Sequence, residues 1–266
     1  MRQSREVLLA QLLKRTPGFI RGFVVYRRFR SYVFVLLFKY NFDSYLASNF
    51  FHILPLPAVM QNQDQVNKGL FLPLMEEFYT IQGEGYHSGK AAYFVRIGGC
   101  DVGCHWCDVK ESWNPAAHPA TPIEPIVANA AQHAQTIVVT GGEPLTWNME
   151  PLTTALHKSG LQVHIETSGA YPVSGKWDWF CLSPKKNKPP VEAAYQYAHE
   201  LKVIIYNQHD FKWAEEHAAK VGAQCKLYLQ PEWSRKEKMM GAISEYVMQN
   251  PKWQISIQTH KYIGIP

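Results

Sequence analysis

Residues 91–107 read AAYFVRIGGCDVGCHWC. Apolar residues run from Ala91 to Ile97, interrupted by Arg96, and two glycines then stop the run. The stretch predicts a strand that empties into a loop. That loop carries three of the chain's five cysteines, Cys100, Cys104 and Cys107, at the spacing C-x3-C-x2-C. Three thiols are a poor disulfide framework, because one is always left over, but they make a good clamp for a metal centre. A four-coordinate zinc would take a fourth ligand from His105 or from farther away, whereas an iron–sulfur cluster could leave one iron without a protein ligand. The spacing alone leaves both open. Cys181 and Cys225 are isolated in the sequence, which argues for a reducing compartment and against a secreted disulfide scaffold.

The pattern of a strand ending in glycines or polar residues continues downstream. TIVVTGG (136–142) reads as a strand stopped by two glycines, and EPLTTALHKSG (150–160) as a helix with a glycine stop. Strands are predicted at LQVHIETSG (161–169), WDWFCLSP (177–184), ELKVIIYN (200–207), CKLYLQP (225–231) and WQISIQT (253–259). Helices are predicted at 210–222 and 235–250. Alternating strands and helices, with near-continuous apolar strands, indicate an α/β fold with a mostly parallel sheet covered by helices. Polar or Gly-rich residues gather where these strands end: Gly98-Gly99-Cys100, Thr140 to Glu143, Glu166 to Gly169, Ser183-Pro184-Lys185, Gln230-Pro231 and Gln258-Thr259-His260. In parallel α/β folds that edge is where ligands bind.

The net charge of +5 is unevenly distributed. Residues 1–59 hold nine Lys/Arg against two Asp/Glu, a net of +7, and residues 60–266 carry a net of −2. Residues 60–266 therefore lack the basic footprint of a nucleic-acid binder. The charge-free apolar run Ser31–Phe38 is far short of the ~20 residues a spanning helix needs. No signal-peptide cleavage pattern follows it. Residues 1–59 are expected to lie outside the domain, and Met60 reads as a plausible start, with the upstream one assigned too early. The domain is expected to span 60–266, in the cytoplasm and without a membrane or nucleic-acid partner.

The cysteine loop, with an aromatic residue (Trp106) before its last cysteine, resembles the radical S-adenosylmethionine superfamily. FYTIQGEGYHSGKAAYFVRIGGCDVGCHWCD, VVTGGEPL, ETSG, LSPK, YLQP and the terminal QTHKYIGIP, in that order from about residue 73 to the end, resemble the 7-carboxy-7-deazaguanine synthases. The resemblance implies a shortened radical-SAM partial (β/α) barrel. It also implies conversion of 6-carboxy-5,6,7,8-tetrahydropterin to 7-carboxy-7-deazaguanine and ammonia, on the route to queuosine. The cofactors implied are a [4Fe–4S] cluster, S-adenosylmethionine and Mg2+, with a reducing partner such as flavodoxin or ferredoxin and a homodimeric assembly.

Site residues follow from the same resemblance. Cys100, Cys104 and Cys107 would hold three irons, and S-adenosylmethionine would chelate the fourth. Trp106, Asp108, Gly142, Ser168, Ser183, Pro184, Lys185, Tyr228, Leu229, Gln230 and Pro231 are expected around that cofactor. Ile81, Gln82, Gly83, Arg96, Thr140, His260 and Pro266 are expected to face the pterin. Arg96 inside an apolar strand needs a carboxylate partner, from a ligand or a buried acid. Glu84 and Glu166 are candidates for the pterin ring, the metal or a structural ion pair. His260 is expected on the last strand, and the α-carboxylate of Pro266 is expected to take hydrogen bonds from the pterin. One position departs from the pattern. Val109 stands where the family usually has a hydroxyl residue for Mg2+, and valine has no metal-binding atom. That leaves two openings: substrate and water hold the ion with help from Asp108 or Glu111, or the metal requirement is weaker.

Overall fold

The computed structural model describes residues 24–29, 32–37 and 58–266. The chain divides between Pro57 and Ala58 into two units. In the first, β1 (Val24–Phe29) pairs antiparallel with β2 (Tyr32–Leu37), Val24 opposite Leu37 and Phe29 opposite Tyr32. The expectation that residues 1–59 stand outside the domain, behind an early start, falls largely on residues outside those described.

The second unit is built on one nine-stranded sheet. Helix α1 (Ala58–Asn67) leads into β3 (Phe71–Ile81) and β4 (Ala91–Ile97). Then follow β5 (Ala120–Pro122), α2 (Ile123–His133), β6 (Thr136–Gly141), α3 (Glu150–Lys158) and β7 (Gln162–Thr167). The second half holds β8 (Trp179–Leu182), β9 (Glu200–Ile205), α4 (His209–Ala218), β10 (Lys226–Pro231) and α5 (Lys236–Gln249). The chain closes with β11 (Trp253–Ile255) and α6 (Thr259–Ile263). The strand order is β11-β10-β9-β8-β7-β6-β4-β3-β5. From β11 to β4 every pairing is parallel, and β3 alone runs against its neighbours β4 and β5. This is the mostly parallel, unclosed sheet of a partial barrel.

Side chains alternate across each strand and divide the sheet into two faces. Ile137, Val139 and Val163 pack with Ile126 of α2 and Leu152 and Leu156 of α3 on one half of the helix-covered face. Leu201, Val203, Leu229 and Trp253 pack with Ala214 of α4 and Met239 and Ile243 of α5 on the other half. The alternate residues Arg96, Thr140, Glu166, Lys202 and Gln230 come from five different strands and line the hollow of the other face. Period-two alternation thus turns apolar strands with a few embedded polar residues into a wall that is oily outside and polar inside.

Two expectations need correction. The last strand stops at Ile255, and Thr259–Ile263 forms a short helix closed by Gly264 at φ 69°, so His260 lies on a helix and not on a strand. The segment has left the sheet edge and turned across the mouth of the open barrel, where Thr259 N donates to Gly83 O at 2.9 Å. Leu229 is completely buried on the helix-covered face, one residue out of phase with Gln230, so its side chain does not reach the hollow.

Candidate active site

The loop after β4 is shaped by its own backbone. Gly99 N donates to Ser112 O at 2.7 Å and Cys100 N to Trp113 O at 3.1 Å, pinning both ends of the cysteine segment. Cys107 N donates to Cys104 O at 3.1 Å and makes the turn between the last two thiols. From outside, Asn187 Nδ2 donates to Gly103 O at 2.6 Å and Lys188 Nζ pairs with Asp101 at 2.8 Å. Cys100, Cys104 and Cys107 are all half-buried and line one cavity of about 620 Å3. Burial pushes the Cys100 and Cys104 thiols up, so binding iron must displace their protons.

The donor set tests which centre fits. Among the described residues no three His, Cys, Asp or Glu side chains come together at the spacing of a single ion. His105 lies off this cavity, with its ring 5.4 Å from that of Tyr206, and does not complete a fourth corner. Three thiols spread around a cavity wall suit a larger inorganic core with one iron left open.

β6 ends in Gly141-Gly142-Glu143, which crosses directly over this loop. A Cβ on Gly142 would stand 2.9 Å from Cys100 Cβ and 2.8 Å from the Gly99 carbonyl carbon. Gly142 N and Glu143 N donate to Ile97 O and Gly99 O, both at 2.9 Å. The glycines are therefore demanded by the protein's own backbone. The N–H groups of Gly142 and Glu143 are spent, which leaves carbonyls to meet an amine. Glu143 is fully buried and takes Thr167 Oγ1 at 2.6 Å, Ser168 N at 2.8 Å and Leu145 N at 3.0 Å. A charged acceptor with several donors ties the ends of β6 and β7 together. Ser168 faces the cavity, but its hydroxyl already bonds Glu143 at 2.5 Å.

Of the other residues expected around the cofactor, Trp106, Asp108, Ser183, Lys185, Gln230 and Pro231 line the cavity. Lys185 Nζ donates to Ser183 O and Oγ at 2.7 and 2.6 Å and lies 5.6 Å from the Trp106 ring centre. Pro184 faces a smaller hollow of about 120 Å3 on the other side of the cysteine loop. Tyr228 lies outside the cavity lining, with its hydroxyl donating to Gln254 at 3.0 Å.

All seven residues expected to face the substrate, Ile81, Gln82, Gly83, Arg96, Thr140, His260 and Pro266, line the cavity. Arg96 Nε donates to Glu76 Oε1 at 2.6 Å, and the guanidinium lies 5.8 Å from the Phe78 ring centre. Its partner is thus the half-exposed Glu76 on β3 and not a buried acid. The two outer nitrogens of Arg96 make no hydrogen bond among the described residues. Glu84 and Glu166 both pair with Lys202 Nζ, at 2.6 and 2.9 Å. Lys202 was missed in the sequence, where a lysine inside ELKVII gives no sign of its distant partners. The chain's last segment joins this group. Gln258 Nε2 donates to Glu84 at 2.8 Å, Lys261 Nζ to Asp108 at 2.6 Å, and Thr80 Oγ1 reaches Pro266 O at 3.5 Å. The Val109 side chain has no oxygen and its carbonyl is taken by Ser112, Asp108 is occupied by Lys261, and Glu111 is outside the lining, so these residues do not form a magnesium site.

Comparison with known proteins agrees with this geometry. The family profile of a 4Fe-4S single cluster domain matches residues 81–171. The 7-carboxy-7-deazaguanine synthase of Flavobacterium psychrophilum is 71% identical over 204 residues, covering 77% of this chain and 97% of that protein. The enzyme of the same name from a Synechocystis species is 46% identical, over 73% of this chain and 93% of the relative. The crystal structure of QueE from Escherichia coli aligns with a TM-score of 0.64 at 30% identity, covering 75% of this chain and 99% of that one.

Proposed function

The chain belongs to the 7-carboxy-7-deazaguanine synthase family, and on that premise we propose which residues serve which part of the reaction. The enzyme contracts the ring of 6-carboxy-5,6,7,8-tetrahydropterin to give 7-carboxy-7-deazaguanine and ammonia, in queuosine biosynthesis. Its cofactors are a [4Fe–4S] cluster and S-adenosylmethionine, and its substrate is a small molecule. The observation that carries the assignment is the meeting of three cysteines with polar ends of six strands and loops in one cavity.

Cys100, Cys104 and Cys107 would hold the cluster, which when reduced supplies the electron that cleaves the sulfonium carbon–sulfur bond of S-adenosylmethionine. Around that cofactor, Gly141 and Gly142 offer carbonyl acceptors to an amine. Trp106, with Lys185 against it, walls the cysteine side. Ser183, Gln230 and Pro231 line the wall formed by the ends of β8 and β10. The pterin would lie toward Gln82, Gly83, Thr140 and His260. Arg96, with two nitrogens free and Glu76 fixing its plane, is placed to fork onto the substrate carboxylate. Pro266 would close the far side. Closing the site excludes water from a reactive radical, and the terminal segment provides that cover.

Mg2+ would be held chiefly by substrate and water, because the Val109 side chain has no oxygen and Asp108 is tied to Lys261. A homodimer, a reductant of the flavodoxin or ferredoxin kind and a cytoplasmic location rest on the family resemblance. No helix among the described residues is long and apolar enough to cross a membrane.

Anaerobic reconstitution followed by iron and sulfide analysis, then turnover with the product identified by mass, tests the reading. About four irons per chain and the deazaguanine product are expected. One zinc without iron, or an intact cluster with no turnover of the carboxypterin, would overturn it.

A further inference from the structure

Lys202 has no part in the assignments above, although it lines the cavity. Its side chain is 4% exposed, and its Nζ donates to Glu84 Oε2 and to Glu166 Oε2. The three residues come from the loop after β3, from the end of β7 and from β9. The remaining carboxylate oxygens are met by amides: Gln258 Nε2 donates to Glu84 Oε1 at 2.8 Å and Gln82 Nε2 to Glu166 Oε1 at 3.4 Å. All five side chains line the cavity. Two carboxylates sharing such a site without a cation between them retain a proton, because both cannot ionise against each other. One oxygen then turns from acceptor into donor.

We propose that Lys202 is a positioning residue that keeps Glu84 and Glu166 both ionised, so that the pair shows only acceptor oxygens to the N–H edge of the bound substrate. This rests on the reading of the cavity as a pterin site. The 2-amino group and ring N–H groups of a pterin are donors, and an acceptor-only wall takes that edge and rejects a bicycle that presents acceptors there.

The electrostatics of the surroundings agree. Burial works to raise Glu84, but the charge and hydrogen bond of Lys202, with Gln258, overcome it and hold the carboxyl down at about 2. Burial works against the Lys202 ammonium, and its acidic neighbours Cys181 on β8, Glu166, Glu84 and Glu200 overcome that and push it well above the ordinary lysine value. His260 on α6 and Lys185 after β8 are the other titrating groups that face this lysine. Glu200, two residues back on the same face of β9, is raised by burial to about 7 and changes charge within the neutral range. Any pH experiment must separate it from Glu166.

Two measurements do so. The first is the KM for the carboxypterin as a function of pH in the loaded enzyme. It stays level in the wild type and in Lys202→Arg. In Lys202→Met it is high at about pH 6 and falls by about tenfold per pH unit as the shared proton leaves. In Lys202→Met/Glu166→Gln, with one carboxyl left, KM stays high and the slope disappears. A Lys202→Met profile parallel to the wild type, or a slope that survives in the double variant, would overturn the proposal. The second needs neither substrate nor a folded Lys202→Met. Infrared difference spectra of the wild type between about pH 6 and about pH 9 should show no protonated-carboxyl band that is lost in Glu166→Gln. Such a band would overturn the proposal. A wild type that gives the expected infrared result but does not turn over the pterin would count against the site reading alone.

Discussion

His260 occupies the space that a side chain on Gly83 would need: an ideal Cβ there would stand 2.7 Å from Cγ and 2.8 Å from Cβ of the histidine. The backbone of Gly83 is unstrained, so this glycine is required for close approach and not for an unusual dihedral angle. Gly83→Ala should push His260 and α6 away from the cavity. We expect the KM for the pterin to rise about tenfold or more, a loss near 1.4 kcal/mol, with iron content unchanged. Steady-state kinetics beside an iron assay checks this.

Replacing Cys100, Cys104 or Cys107 with Ala should abolish S-adenosylmethionine cleavage and lower the iron bound. Cys181→Ala and Cys225→Ala should retain both, because neither side chain lines the cavity. Cys181 is 1% exposed, so its truncation should cost about 1 kcal/mol of stability while leaving the reaction intact. Full activity in Cys104→Ala would end the cluster assignment.

Lengthening the chain beyond Pro266 should obstruct the substrate side of the cavity. Pro266 lines it, beside Thr80, and Lys261 ties the same segment to Asp108 next to the last cysteine. With a few added residues the KM for the pterin should rise steeply while uncoupled S-adenosylmethionine cleavage persists. An unchanged KM in such a protein would show that the terminus only seals the barrel.

We propose that a chain started at Met60 is soluble and fully active. It would lose the unit that holds β1 and β2 and, from the second unit, only the first two residues of α1, which begins at Ala58. Failure to fold or loss of turnover would make residues 1–59 part of the working structure.

Acid should weaken the fold through its buried histidines, opposed in part by Glu200, whose carboxyl burial raises to about 7 so that it takes up its proton first in the folded chain. Burial lowers His87, His164 and His217 from 6.5 to about 4, helped by Lys90, by His87 and by Lys220 respectively. The unfolded chain therefore takes up these protons near pH 6.5 and the folded chain only near pH 4. Over that window protons favour unfolding, and the stability present at neutral pH is lost as pH falls. Thermal midpoints measured from pH 7 downward should fall across that window. In His217→Gln the fall should be shallower.

Much of this architecture could be read from local residues. The C-x3-C-x2-C spacing, the paired glycines and the polar ends of the parallel strands are short-range signals; the three cysteines, Gly141, Gly142, Thr140, Glu166, Ser183 and Gln230 line the cavity, while Gly98 and Gly99 do not. Other features depend on distant parts of the chain. The long strand β3 was not anticipated, because FLPLMEEFYTI contains a proline and two adjacent glutamates and lies near the sheet's edge, where alternation is weak. Lys202 was not singled out because its two partners are 118 and 36 residues away. Leu229 was misplaced by a phase error of one residue, since neighbours on a strand face opposite sides. The helix at Thr259–Ile263 follows from a tie to Gly83, 176 residues earlier, which no window of sequence contains.

The cysteine loop is held in shape by bonds from Ser112, Trp113, Glu143 and Asn187, and none of these needs iron. The consequence concerns life in air. Oxidants strip iron and sulfide from exposed clusters, and a loop that relied on them for its form would collapse, bury its thiols incorrectly and be degraded. A loop pinned by its own neighbours should keep its shape when iron is withdrawn, so protein bleached by air should regain its cluster on anaerobic addition of iron and sulfide.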